Sequence, residues 1–164
     1  MSEQCDVSYP SNTTFQEVYD FFLSGITDDM FMELTKEDTE EMLEEILLAA
    51  LPHFEFPRKE IFDVDLYQKC FNCKLTLEEL RIIRSYMVME WINFQLASVE
   101  NVRQKYSGTD FKFTSQASHM DKLKNLRDTY QTEGYHLQRL YCRRMKSKDK
   151  PGYESAFMRI MEKR

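Results

Sequence analysis

Glycine and proline are scarce in this sequence, with four of each in 164 residues. Few or short loops follow, which disfavours a β-sandwich or an α/β fold and favours long helices. Four cysteines (Cys5, Cys70, Cys73, Cys142) are too sparse for a disulfide scaffold of this length and read as reduced thiols in a cytosolic setting. No apolar run reaches the roughly 18 residues of a membrane span, so no membrane contact is expected. The first residues, MSEQCDVSYPSNTT, lack the basic and apolar regions of a signal peptide. GxGxxG, P-loop, HExxH and GxSxG motifs are missing too, so neither catalysis nor a cofactor is expected. What is present is 42% hydrophobic and 30% charged residues, the balance of a folded chain with a core.

Charge is unevenly placed. Residues 1–80 carry a net −14 and residues 81–164 a net +8. The halves either neutralise each other within one fold or pack head to tail between identical subunits. The candidate contacts are Arg127, Arg139, Arg143 and Arg144 against Glu40, Glu41 and Glu44.

Residues 1–12 read as an N-terminal arm, 13–147 as a helical domain and 148–164 as a C-terminal tail. Thr13 with Gln16 and Thr14 with Glu17 are overlapping capping boxes that open a short helix over about 14–24. Thr27-Asp28-Asp29 suits a single turn through Met32. Thr35 to Asp38 opens an acidic helix, with Met42, Leu43, Ile46, Leu47 and Ala50 on its apolar face. Pro52 ends it, and PHFEFP (52–57) is expected to be extended. Residues 58–75 fit either alternating strands or a short helix at 64–70. Thr76 and Glu79 form a third capping box ahead of a helix over 77–104, about 40 Å long. Leu77, Leu80, Ile83, Met87, Trp91, Phe94 and Val99 line one side of it. Ile82, Tyr86, Val88, Met89, Ile92 and Leu96 widen the stripe, which calls for cover from several directions. Asp110 to Thr114 alternates like a strand and reads as an extended inter-helix loop. Ser118 caps a basic helix to about 147, with Leu123, Leu126, Tyr130, Leu137, Leu140 and Tyr141 in a stripe. Gly134 sits in that stripe, where another element can approach closely. Tyr153, Phe157, Ile160 and Met161 mark a tethered amphipathic helix. The expected fold is all-α, a bundle of about four helices around one long apolar helix.

Two constellations invite a functional reading. Cys70-Phe71-Asn72-Cys73 is a CxxC, but no second paired spacing completes a zinc site and no thioredoxin-like pattern surrounds it. Two small, partly buried residues are the simpler account. The glutamates of residues 37–45 lack the ExxH histidines of a di-metal bundle and read as a solvated face.

The order of elements, with MVMEWINFQLASVEN (87–101), YSGTDFKFTSQASHMDKL (106–123) and GYHLQRLYCRR (134–144), resembles the head–tail connector (adaptor) proteins of tailed bacteriophages over residues 13–147. The resemblance implies a structural subunit, without chemistry, of a virion neck ring assembled in the host cytoplasm. Such rings commonly hold twelve copies, dock under the portal, extend the DNA channel and offer a platform to a tail or stopper protein. DNA is met only in passage, and a lumen that does not grip phosphate lets it slide. The tail then carries the portal-docking residues Tyr153, Phe157, Met158, Ile160 and Met161. Tyr106, Phe111, Lys112 and Phe113 form an intersubunit loop. A cellular all-α interaction module and a small DNA-binding regulator are the alternative readings.

Overall fold

The computed structural model describes residues 12–26, 35–105 and 113–148. Residues 1–11, the stretch 27–34 with the single turn expected through Met32, the stretch 106–112 and the tail beyond 148 lie outside the described residues. Four α-helices and a two-stranded ribbon make up the described residues, so the chain is mainly α-helical.

Helix α1 spans Phe15–Leu23 and buries Phe15, Val18, Tyr19 and Phe22. Its cap is Thr14, whose Oγ1 accepts from the Glu17 N–H at 3.2 Å. Thr13 makes no capping box. Its hydroxyl is buried and accepts instead from the Leu75 N–H at 2.8 Å. Helix α2 spans Lys36–Ala50 and buries Leu43, Ile46, Leu47 and Ala50. Thr35 caps it, accepting from the Asp38 N–H and donating to the Asp38 carboxylate. Pro52 does not open an extended stretch at once. It sits within a 3-10 turn at Leu51–His53, where its missing N–H costs nothing.

Strands β1 (Val64–Asp65) and β2 (Cys70–Phe71) pair antiparallel, Val64 opposite Phe71 and Asp65 opposite Cys70. The expected alternative of a helix at 64–70 is not formed. Asp65 Oδ1 accepts from both the Tyr67 and Gln68 N–H groups at 2.9 Å, a local bond that turns the chain instead. Residues 13–15 lie along the other side of β2. The Phe71 N–H donates to the Thr13 carbonyl, and Thr14 bridges Cys70. The start of α1 is thereby laced to the ribbon.

Helix α3 spans Leu77–Lys105 and α4 spans Phe113–Lys148, about 44 and 54 Å long at the helical rise. They run antiparallel. Glu78 meets Arg144, Glu79 meets Tyr141, Tyr86 meets Gly134 and Arg81 meets Glu133. A Cβ on Gly134 would stand 2.8 Å from the Tyr86 ring, so the small residue sets how closely the helices approach. α4 begins five residues before Ser118, and Phe113 and Thr114 are helical rather than strand-like. A lone strand leaves its ladder groups unpaired, whereas a helix closes its own. Tyr106, Phe111 and Lys112 lie outside the described residues.

α1 and α2 both pack on α3. Ile82, Ile83 and every residue from Ser85 to Met89 are buried, as are Trp91 and Ile92. The broad apolar stripe is thus covered by the chain's own α1, α2 and α4, and over this stretch no neighbour is needed. Three members of the expected stripes face out: Leu77 at the first position of α3, Phe94 beyond the buried run, and Leu126 on α4. Among the described residues no helix is long and apolar enough to cross a membrane.

Candidate functional site

Two surfaces of opposite sign, and a buried polar cluster between the helices, carry the charge that the sequence advertises.

The acidic surface is the outer face of α2. Glu37, Glu40, Glu41, Glu44 and Glu45 follow one another at helical spacing, and with Leu48 and Lys69 they line an open groove of about 500 Å³. Lys69 enters from the ribbon turn, its backbone at φ 52°, and its ammonium lies 2.9 Å from Glu44 Oε2. That hydrogen bond, and then the charge of Glu44, raise the lysine's pKa above its ordinary value. Lys36 approaches Glu40 at 3.8 Å. Glu37, Glu41 and Glu45 are exposed and have no ion-pair partner among the described residues. Beneath the groove wall, burial and then the charges of Glu44 and Glu40 push the Tyr19 hydroxyl well above its ordinary range.

The basic surface is α4. Lys122, Lys124, Arg139 and Arg143 are exposed, again without an ion-pair partner among the described residues. Two arginines expected to face a neighbouring subunit have partners at home. Arg127 binds the adjacent Asp128, and Arg144 binds Glu78 of α3. Glu44 is likewise engaged by Lys69. Of the charged residues expected between subunits, Arg139, Arg143 and Glu41 have no ion-pair partner among the described residues, and the same holds for Glu37 and Glu45, which lie outside that expectation.

The buried cluster centres on Glu79, which is 1% exposed. The Tyr141 hydroxyl donates to its Oε1 at 2.5 Å. The Thr76 N–H and hydroxyl donate to its Oε2 at 2.7 and 2.9 Å, and the Lys59 ammonium stands 3.4 Å from it. Burial works to raise the carboxyl's pKa, but these hydrogen bonds and Lys59 hold it below the ordinary value. Tyr141 moves the other way, raised by burial and then by its bond to Glu79. Arg58 completes the clamp. Its guanidinium lies 4.0 Å over the Tyr141 ring and donates to the Tyr141 carbonyl at 2.6 Å. A carboxylate held ionised and surrounded by donors is a poor general acid near neutral pH and a good tie between segments. A second tie joins the 3-10 turn to α3, where His53 Nε2 and Glu90 Oε1 are 2.7 Å apart.

Cys70 and Cys73 are partly buried free thiols, and burial raises the pKa of Cys73. No group of three or more potential ligands able to hold a metal occurs among the described residues. The docking residues Tyr153, Phe157, Met158, Ile160 and Met161 lie outside the described residues. From the sequence Thr76 and Glu79 read only as a capping box; the signal for the cluster is a glutamate in an otherwise apolar helix face, with a tyrosine on the facing stripe.

Comparison with protein-family models, with curated proteins and with solved structures finds no match to this chain.

Proposed function

We propose that this protein is a structural subunit of a tailed-phage head–tail connector ring. It acts without catalysis or cofactor in the virion neck, between portal and tail or stopper protein. The observation that carries this reading is a pair of surfaces of opposite sign, the acidic groove on α2 with Glu37, Glu41 and Glu45 unpaired and α4 with Arg139 and Arg143 unpaired among the described residues. Complementary patches at different places on one subunit form a heterologous contact, and such contacts close into rings when the rotation permits. The buried clamp supports it, since a ring that bears load needs subunits whose segments are tied internally. The tail, with Phe157 and Ile160 as anchors, is the segment that docks on the portal.

Light scattering and native mass spectrometry at high protein concentration and low salt test the contact. Glu41→Lys/Glu45→Lys and Arg139→Glu/Arg143→Glu should each abolish self-association. Mixing the two variants should restore alternating assembly, because inverted groove with inverted helix and native groove with native helix are both complementary. A wild-type chain that stays monomeric, or a mixture that does not pair, rejects the groove as the ring contact. Deleting 148–164 should abolish portal binding; unchanged binding rejects the tail assignment. A monomer retained on DNA with a steep salt dependence would favour the regulator instead.

A further inference from the structure

Eight large apolar side chains are well exposed among the described residues, and five of them fall between Phe56 and Leu77. Single exposed apolar residues are ordinary, but a concentration in one segment is not. The segment's place in the fold is fixed by its polar contacts. The Glu55 N–H donates to Gln138, Arg58 grips Tyr141, and Glu78 binds Arg144. Phe56, 64% exposed, and Leu77, 74% exposed, therefore flank the final turns of α4. Phe62, 51% exposed, follows the buried Ile61 in the stretch between Phe54 and β1. α4 ends at Lys148, one turn or about 6 Å beyond Arg144.

From Lys148 the sequence runs on for sixteen residues. Asp149-Lys150-Pro151-Gly152 reaches at most about 14 Å. Tyr153, Phe157, Ile160 and Met161 then recur at the spacing of one helical face. Glu55, Glu60 and Asp63 are exposed in the same stretch as Phe56 and Phe62, and the segment, net +1 over 149–164, carries Arg159, Lys163 and Arg164 toward its end, where they can meet those acids.

We infer that residues 153–161 dock, in the free subunit, as an amphipathic helix on the chain's own surface at Phe56, Phe62 and Leu77. The short tether favours this seat over the same surface of a second copy, because the effective concentration of a closely linked segment is in the millimolar range. The seat stands whether or not the connector reading holds. Under that reading the portal competes for the same segment, so the subunit keeps its docking helix covered until the portal takes it.

Hydrogen exchange of the full-length protein, read at several protein concentrations, tests the seat. Amides of 153–161 should be protected at least about tenfold over an open chain, independently of concentration. Phe56→Ser/Leu77→Ser and Phe157→Ser/Ile160→Ser should each remove that protection and leave the amides of α1 and α3 unchanged. Unprotected tail amides in the wild-type chain overturn the proposal. So does protection that survives Phe56→Ser/Leu77→Ser, which places the tail elsewhere, or protection that rises with concentration, which makes the occupant a second copy. Ring formation is read separately by the charge-reversal mixtures, so failure of either idea leaves the other measurable.

Discussion

Glu79 and the glutamates of α2 are the same residue in opposite circumstances. Glu79 is buried and meets a tyrosine hydroxyl, a threonine N–H and hydroxyl, and a lysine. Glu37, Glu41 and Glu45 stand in water with no ion-pair partner among the described residues. A buried carboxylate is tolerated only when its oxygens are matched, and once matched it has nothing left to offer a partner. An exposed run of like charge contributes little to folding and remains available for binding. In this chain the charge that holds the fold and the charge that faces outward are therefore separate sets.

The largest effect expected from breaking that division is at Glu79. Glu79→Ala strips the Tyr141 hydroxyl and Lys59 of their buried partner and should cost about 3–5 kcal/mol in chemical denaturation. The same carboxyl sets a pH dependence. Its folded pKa lies below its unfolded one, so its contribution is complete above the ordinary carboxylate range and fades as pH falls through the folded value. Stability should drop below about pH 4, and the drop should be shallower in Glu79→Gln. Next comes Gly134→Ala, which presses a methyl against the Tyr86 ring. The strain, about 1–3 kcal/mol, should outweigh the gain of about 1 kcal/mol in helix propensity, leaving a modest fall in melting temperature. The smallest effect belongs to the groove. Glu41→Lys/Glu45→Lys should leave monomer stability within about 0.5 kcal/mol while removing salt-sensitive self-association. A large loss of stability there would erase the distinction between the two sets.

Periodicity and caps made most of the helices legible. Thr14, Thr35 and Thr76 each start a helix where the sequence places one, because their hydroxyls satisfy local N–H groups. Gly134 was legible as a close approach because a gap in an apolar stripe has few other uses. What could not be read depended on distant partners. Thr13 looks like a cap and instead serves Leu75, sixty-two positions away. Phe113 looks like a strand residue and lies in α4, since a five-residue alternation cannot report that no second strand exists. The site was half legible. The sign of each surface follows from composition, but Arg144 and Glu44 prove to be spoken for by Glu78 and Lys69. Such pairings are set by tertiary packing, which no local pattern encodes.

The lacing of residues 13–15 to the ribbon has a consequence for synthesis. Helix α1 is translated early, yet its start is held by groups from Lys69 to Leu75. At about 5–20 residues per second the ribosome needs roughly 3–12 s to travel from Phe15 to Leu75. A helix forms in about a microsecond. Nine residues are too few to keep a helix without packing, so for those seconds α1 can form only transiently and Phe15, Val18, Tyr19 and Phe22 stay uncovered. The nascent chain thus presents one short apolar face to chaperones long before the helix that will bury it has been made.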